Sequence, residues 1–289
     1  MSFVILLSFC GQAAFAVSSG VKEDPVSSIS KSTVKIRSGI GGDCTATIIA
    51  PRILLTAAHC IQGPASWMRV DFQYARDNWG RPISDDPINV LVHKQWAGTL
   101  KTCQKANPKE RCTPGEMLDA QGKNNDLALI LLPNDVPSPY KAIRLVDEAH
   151  DMGEIRVAGF ADWSVLMSAP VSGTDVFEKI DVKEKLGQFV IENTDRGGSC
   201  KGDSGGPLYE LDENGEALQL GVASAAFYAD SSLFCGFRYT AYTSIGKYRS
   251  WIEDGIKSLT QPPEKARKIK KAELPESSEP MDFSSESAV

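Results

Sequence analysis

The sequence predicts an all-β protein, a barrel or a sandwich, that ends in one α-helix. Short runs rich in β-branched and aliphatic residues recur through the middle of the chain, with little helical patterning between them. Turn residues separate these runs, as in Gly41-Gly42, Pro133-Asn134 and Glu213-Asn214-Gly215. Many short strands bounded by such turns are typical of barrels and sandwiches.

Nine of the runs, each three to five residues long, are predicted to form strands. In chain order they are Thr33–Ile36, Thr45–Ile49, Ile53–Thr56, Asn89–Val92, Leu127–Leu131, Ile155–Ala158, Phe189–Ile191, Gln219–Ala223 and Tyr239–Thr243. The last element has a different period. Apolar residues recur at intervals of three and four between Ile245 and Leu259, which places them on one face of a helix.

The composition excludes several classes of protein. Hydrophobic residues make up 42% and charged residues 24% of the 289 residues, which excludes wholesale disorder and a coiled coil. The net charge of −6 offers no electrostatic basis for a nucleic-acid partner. Beyond the N-terminus, the longest apolar run is Leu127–Leu132, far short of the ~20 residues that span a bilayer. We therefore expect no nucleic-acid partner and no stable membrane span.

The N-terminus has the features of an export signal. Residues 2–16 are apolar, and Ala14-Phe15-Ala16 fits the small-x-small rule for cleavage by signal peptidase. This pattern predicts a signal peptide over residues 1–16 and a secreted, periplasmic or extracellular protein that begins at Val17. No Lys or Arg precedes the apolar run. The alternatives are a buried first strand and a lipid anchor at Cys10.

The cysteines support removal of the signal peptide. Cleavage after Ala16 discards Cys10, one of seven, and leaves an even number, which in an exported chain indicates disulfides. The six are Cys44, Cys60, Cys103, Cys112, Cys200 and Cys235. They allow fifteen pairings. Their spacing does not fit a zinc site, and no metal is expected.

The C-terminal residues differ in composition from the rest of the chain. From Gln261 the sequence is rich in Pro, Glu, Lys and Ser, and it cannot bury enough apolar surface to offset its ordering entropy. We predict a disordered tail over residues 260–289. Its basic cluster, Ala266–Lys271, is flanked by acidic residues. A binding segment is the alternative.

Three segments carry side chains that together suit nucleophilic catalysis. They are Leu55–Cys60 with His59, Asn124–Leu129 with Asp126, and Gly202–Pro207 with Ser204. A serine hydroxyl needs a base to become nucleophilic, and a histidine titrates near the working pH. A buried carboxylate holds the imidazole in one tautomer. The glycines beside Ser204 allow the amides of Gly202 and Ser204 to point at a developing oxyanion.

These segments resemble the trypsin/chymotrypsin-like serine proteases. The resemblance rests on TAAHC, GDSGGP, the Asp-Leu-Ala-Leu run between them and the chain order His, Asp, Ser. It covers roughly residues 17–259. It implies two six-stranded antiparallel β-barrels with a C-terminal helix, divided into 17–137, with His59 and Asp126, and 138–259, with Ser204.

The resemblance also implies an activity. His59 is expected to be the general base, Asp126 the orienting acid and Ser204 the nucleophile, and the amides of Gly202 and Ser204 the oxyanion hole. The expected protein is a monomeric endopeptidase that hydrolyses peptide bonds of protein or peptide substrates through an acyl-enzyme, with no cofactor. One alternative is an inactive, protease-like binding module. Another makes Asp126 a turn residue.

The disulfides implied by the resemblance are Cys44–Cys60 and Cys200–Cys235. Cys44–Cys60 matches the pair that fastens the histidine loop, and Cys200–Cys235 the pair that frames the substrate pocket. Cys103 and Cys112 remain as a third pair, in a stretch that looks longer than usual for the family.

The resemblance implies a pocket without a counter-ion for Lys or Arg. Its base aligns with Gly198, Ser199 follows, Ser224 starts the substrate-binding strand, and Ala226 and Thr240 form the walls. Small or medium apolar side chains are therefore the expected preference.

By the same resemblance, Asp203 matches the acid that pairs with a freshly cut N-terminus in the trypsin/chymotrypsin-like proteases. The start of the mature chain, Val17-Ser18-Ser19-Gly20, would supply that ammonium. The alternative is that Val17–Ser32 is a short propeptide or a loose arm. His93 and His150 lie in no motif, and surface or core-edge positions are expected for them.

Overall fold

The fold is known from a computed structural model of the chain. It describes residues 17–39, 42–97, 105, 125–148, 154–160, 165–171, 188–193, 197–227, 235 and 239–261. The predicted signal peptide, Cys103, Cys112, His150 and the tail beyond residue 261 lie outside the described residues.

The first half of the chain forms an antiparallel sheet preceded by two short strands. Its elements are β1 (Val17–Ser18), β2 (Val21–Lys22), α1 (Ser28–Ser32), β3 (Thr33–Ser38), β4 (Asp43–Ala50), β5 (Ile53–Thr56), β6 (Met68–Arg76), β7 (Pro82–Asp85), β8 (Asn89–Val92) and β9 (Ala128–Leu131). Two 3-10 helices, Ala58–Cys60 and Ala65–Trp67, follow β5.

An interrupted strand closes the first sheet into a barrel. The strand order is β7-β6-β3-β4-β5-β9-β8, so β7 and β8 stand at opposite ends of the sheet. In the chain they are neighbours, separated only by Asp86-Pro87-Ile88. Pro87 has no N–H to donate to a ladder, which explains the break. Counted as one, β7 and β8 make this a six-stranded barrel.

The second half forms another curled sheet and the terminal helix. Its elements are β10 (Arg144–Leu145), β11 (Glu154–Gly159), β12 (Met167–Pro170), β13 (Gln188–Glu192), β14 (Gly198–Ser199), β15 (Pro207–Leu211), β16 (Ala217–Phe227), β17 (Tyr239–Ser244) and α2 (Ile245–Thr260). The order β13-β17-β16-β15-β11-β12-β2 contains six longer strands, and the two-residue strands β2 and β10 extend it. The predicted double barrel with a C-terminal helix is confirmed.

All nine predicted strands are present, but others were missed. The longest of these is β6, in which inward and outward residues alternate, as in Val70 and Phe72 against Arg69 and Asp71. That alternation of apolar and polar residues is itself a strand pattern, and the sequence carries it. The turn predicted at Glu213-Asn214-Gly215 joins β15 to β16.

The first strands and the last helix that the structure describes pack on opposite barrels. Near the N-terminus, β1 pairs with β14 and β2 with β12, which belong to the second half. At the C-terminus, Ile245, Tyr248 and Ile252 of α2 join the core of the first barrel. Both ends therefore cross the division predicted after residue 137, which itself stays a prediction. Neither described helix is long and apolar enough to cross a lipid bilayer.

Candidate active site

His59 lies in the short 3-10 helix that follows β5. Its Nδ1 is 2.7 Å from Asp126 Oδ2, and its backbone N–H donates to Asp126 Oδ1 at 2.9 Å. The predicted Cys44–Cys60 disulfide is confirmed and fastens this turn to β4, with 6.1 Å between the Cα atoms. The imidazole is 25% exposed, whereas the Asp126 side chain is fully buried.

Asp126 is fully buried two residues before β9. Its Oδ2 accepts a second hydrogen bond, from Ser224 Oγ of β16 at 2.7 Å. A buried carboxylate is costly unless its oxygens are hydrogen-bonded, and this one receives three bonds. These contacts hold Asp126 against His59 in one orientation.

Asn125 supports Asp126 from the preceding position, a role that the sequence did not reveal. Its φ of 51° lies in the left-handed region, which asparagine tolerates better than most residues. Its Oδ1 accepts from the Tyr248 hydroxyl of α2 at 2.9 Å, and its carbonyl from the N–H of Leu127 at 2.9 Å. The terminal helix therefore helps to hold the backbone beside Asp126.

The environment of His59 raises its pKa above the ordinary value of 6.5. Burial by itself lowers the pKa, because it penalises the imidazolium. The Coulomb attraction of Asp126 and its hydrogen bond act in the opposite direction and together prevail. His59 is thus poised to hold a proton taken from a neighbouring group.

Ser204 lies in the turn before β15, and this turn contacts both barrels. Its carbonyl accepts from the N–H of Thr45 in β4 at 2.8 Å. The next residue, Gly205, donates its N–H to Ala223 of β16 at 2.8 Å. A Cβ on Gly205 would lie 2.1 Å from Thr56 Oγ1, so the close approach of this turn to β5 requires glycine.

The Ser204 hydroxyl completes no hydrogen bond to His59 within the described part of the chain. The structure therefore joins His59 to Asp126 directly and packs the Ser204 turn against β4, β5 and β16. In unliganded sites such hydrogen bonds are often long and tighten only with substrate.

Two backbone N–H groups beside Ser204 have no acceptor among the residues that the structure describes. They belong to Gly202 and Ser204. Gly202 has a φ of 94°, a conformation that side-chain-bearing residues rarely adopt. The Gly202 carbonyl points towards Thr45 Oγ1, at 3.5 Å. The turn leaves two donors available to a ligand.

A cavity of about 250 Å³ opens beside Ser204. It is lined by Ser199, Cys200, Lys201, Gly202, Asp203, Ser204, Ala223, Ser224, Ala225, Ala226 and Thr240. The predicted wall residues Ala226 and Thr240 pair across β16 and β17. Gly198 does not line the cavity; it is buried in β14, opposite Ser18 of β1. The predicted Cys200–Cys235 disulfide is confirmed, with 4.3 Å between the Cα atoms.

One residue behind the cavity was not anticipated from the sequence. Asn193 follows β13 and contacts Gly198, Ser199 and Thr240. It stands five positions before Gly198 and in no motif. Only the glycine at 198 hints that another side chain occupies the neighbouring space.

Asp203 is nearly inaccessible to solvent. Its Oδ2 accepts from the N–H of Cys200 at 2.8 Å, and its Oδ1 packs against Gly159, where a Cβ would lie 2.2 Å away. Val17 is fully buried and pairs with Ser199, four positions before Asp203. The start of the predicted mature chain therefore lies close to the Asp203 turn.

His93 and one sulfur-containing cluster have structural explanations. His93 lies at the edge of the core between the rings of Tyr248 and Trp251, with centroids 5.4 and 5.0 Å away. Cys44, His59 and Cys60 are close enough together to share a metal ion. Both sulfurs are held in the disulfide, however, and a metal binds cysteine as the thiolate.

Comparison with known sequences shows the family. The sequence model of the Trypsin family matches residues 20–252, which is most of the chain. The chain therefore belongs to the trypsin family of serine proteases.

Similar proteins come from several arthropods. The chain is 24% identical over 253 residues to serine protease grass of Drosophila melanogaster, covering 74% of this chain and 60% of that relative. It is 26% identical over 243 residues to serine protease ea of the same organism, covering 75% and 61%. Brachyurin of Leptuca pugilator is 26% identical over 225 residues, covering 73% and 86%. The chain thus spans about three fifths of the length of the two Drosophila proteins.

Proposed function

We propose that this chain is a serine endopeptidase that cleaves peptide bonds through an acyl-enzyme. The observation that carries the proposal is the set of hydrogen bonds to the buried Asp126 carboxylate. It accepts from the backbone N–H and the ring Nδ1 of His59, and from the Ser224 hydroxyl of the other barrel. Such a carboxylate fixes the tautomer in which the free imidazole nitrogen is a base. The Ser204 turn is hydrogen-bonded to β4, which the Cys44–Cys60 disulfide joins to the His59 turn, and through Gly205 to β16, which carries Ser224.

The proposed reaction has two halves. Ser204 Oγ attacks the peptide carbonyl carbon while its proton passes to His59 Nε2, and the C–N bond breaks as that proton moves to the leaving amine. Water then attacks the acyl ester, His59 takes a proton from the water and returns it to Ser204 Oγ, and the carboxylic acid product leaves. Asp126 orients His59 and stabilises its imidazolium throughout.

The free amides of Gly202 and Ser204 support an oxyanion hole at this site. Both donors belong to the turn that carries the nucleophile, and neither has an acceptor in the described residues. Preorganised donors of this kind stabilise the tetrahedral intermediate by roughly 3–4 kcal/mol each.

The cavity beside Ser204 supports a preference for small or medium apolar side chains before the cleaved bond. Ala223, Ala225 and Ala226 give it an apolar wall. Asp203 is the one acid in its described lining, and that carboxylate is already bound to Cys200 N–H and nearly buried. A Lys or Arg side chain would lose its hydration without gaining a counter-ion, which costs several kcal/mol.

We further propose that the protein is secreted and that the ammonium of Val17 pairs with Asp203. The two disulfides are typical of an oxidising compartment. The burial of Val17 beside Ser199 and the buried carboxylate of Asp203 support the ion pair, because a buried carboxylate gains most from a cationic partner. The pair would order the turn that holds both the oxyanion donors and Ser204.

The test of activity is covalent labelling with a serine-directed phosphonate, with the Ser204→Ala variant as control. The proposal expects one label per molecule on Ser204, none on the variant, and peptide hydrolysis that the label abolishes. A folded protein that neither reacts nor hydrolyses peptides would instead be a protease-like binding module.

A further inference from the structure

Asn193 is hydrogen-bonded to one end of the substrate cavity, the end lined by Ser199 and Thr240, which we call the deep end. Its Nδ2 donates to the Ser199 carbonyl at 3.4 Å, and its Oδ1 accepts from the Ser199 N–H at 3.4 Å. The hydroxyl of Thr240 lies between the two ends of the same carboxamide, 3.2 Å from Nδ2 and 3.3 Å from Oδ1. Ser199 and Thr240 both line the cavity. One side chain thus connects two of its lining residues from behind.

The carboxamide also occupies the space next to Gly198. A Cβ built on Gly198 would lie 2.5 Å from both Cβ and Cγ of Asn193, and 2.7 Å from Oδ1. These distances are far inside van der Waals contact. The side chain that would otherwise extend from position 198 is therefore replaced in space by that of Asn193.

The other polar groups at this end are paired with one another. Ser199 Oγ is hydrogen-bonded to the Tyr242 hydroxyl, and Tyr242 is buried. Burial raises the pKa of Tyr242, which keeps the phenol neutral at physiological pH. Ser199, Tyr242, Thr240 and Asn193 are thus uncharged and bonded to one another, and the acid that acts on Tyr242, Asp203, is itself buried.

We propose that Asn193 is a specificity-determining residue, because it holds Ser199 and Thr240 in the cavity wall and fills the space beside Gly198 with an uncharged carboxamide. This inference rests on the proposed peptidase function. It names the chemical class that the site accepts, which is uncharged side chains short enough to end before Thr240. Asn193 acts through Ser199 and Thr240 and is a positioning residue.

Two kinds of variant follow. Asn193→Ala removes the carboxamide, so larger side chains gain room; one added methylene in an apolar pocket changes selectivity by roughly 10-fold or more. Gly198→Asp alone places a side chain into occupied space and should damage the site. Combined with Asn193→Ala, the same Gly198→Asp change finds room in the space that the carboxamide leaves. Its carboxylate then lies beside Ser199 and Thr240, where it can serve as a counter-ion for Lys and Arg.

The experiment compares kcat/KM across peptides that differ only in the residue before the cleaved bond. Asn193→Ala should raise the ratio for Leu over Ala peptides by about tenfold. The double variant should cleave after Lys or Arg and be more active than Gly198→Asp alone. Asn214→Ala, the same change in the exposed β15–β16 turn, is the matched control and should retain the original profile.

The outcomes separate the two proposals. If the phosphonate labels Asn193→Ala fully and its selectivity equals that of the unmodified protein, the role of Asn193 is wrong and the peptidase proposal stands. If Asn193→Ala also fails to rescue Gly198→Asp, the two side chains do not share space in solution. If the unmodified protein is neither labelled nor active, the peptidase proposal is wrong, and the inference falls with it.

Discussion

Ser224 and Asp126 are joined by a hydrogen bond that crosses from one barrel to the other. Ser224 Oγ, on β16, donates to Oδ2 of Asp126, which lies two residues before β9, at 2.7 Å. The same oxygen accepts from His59 Nδ1. The orientation of His59 therefore depends on how the two barrels are docked, and not on the first barrel alone.

The Ser224→Ala variant should lose activity through this contact. Without the hydroxyl, the buried Asp126 keeps two donors instead of three, and a hydrogen bond to a charged group contributes about 1.5–3 kcal/mol. We expect kcat to fall about tenfold or more, and the less-stabilised carboxylate to attract the His59 proton more strongly. The acid limb of the pH–rate profile should therefore move to higher pH. Ser84→Ala on β7 is the control and should change neither quantity. If Ser224→Ala likewise leaves kcat and the pH–rate profile unchanged, the Ser224–Asp126 hydrogen bond does not support catalysis.

Ser204→Ala and His59→Ala should each lower kcat by several orders of magnitude while the fold is retained. The Ser204/His59 double variant should be no worse than either single variant, because the members of such a triad act as one unit. Steady-state kinetics with circular dichroism as the folding control will check both points. Losses that add in the double variant would show that the two side chains act independently.

The pH dependence of kcat/KM should show an acid limb centred above pH 6.5. The base must be neutral to accept a proton, so activity falls as the pH drops through the pKa of His59, which Asp126 raises. Asp126→Asn removes the raising interactions and leaves burial, so the midpoint should move down.

In the Asp126→Asn variant kcat should also fall by about 10⁴-fold, the loss known for this change in a serine protease triad. A midpoint that is the same in both proteins would show that Asp126 does not control His59.

Peptide mapping without reduction should find Cys103 joined to Cys112. The structure pairs Cys44 with Cys60 and Cys200 with Cys235, and cleavage of the signal peptide would remove Cys10. Cys103 and Cys112 are then left to pair with each other. Closing the intervening loop should stabilise the protein by roughly 2–4 kcal/mol, so Cys103→Ser with Cys112→Ser should lower the free energy of unfolding by that amount. A mixed disulfide between Cys103 and any other cysteine would refute the pairing.

A single extra residue before Val17 should reduce activity if the Val17 ammonium pairs with Asp203. The extension moves the charge away from the buried carboxylate, and the pocket and oxyanion donors lose their support. The ion pair should raise the pKa of the Val17 amine above its usual value of ~8. In the unextended enzyme, activity should therefore fall at high pH as the amine loses its proton.

N-terminal sequencing of the active secreted protein should read Val17-Ser18-Ser19-Gly20. Full activity in the extended form would place Val17–Ser32 as a propeptide or a loose arm.

Most of the candidate site could be predicted from the sequence because its reactive side chains lie in short contiguous segments. TAAHC and GDSGGP each hold a reactive group, and their glycines and cysteines specify the local backbone. Neighbours within a few residues are constrained by chain geometry, so such patterns carry structural information. Asn193 escaped because its relation to Gly198 and Thr240 depends on strands far apart in the chain.

By itself, the sequence determined the β-rich fold class, the terminal helix and the candidate His59, Asp126 and Ser204, since periodicity and motif are properties of local order. Tertiary structure alone decided that β7 and β8 close one barrel, that β1 and β2 join the other half, and that Ser224 reaches Asp126. Those contacts join residues distant in the chain. Their formation depends on which apolar faces pack together in the folded core, and no short window of sequence records that choice.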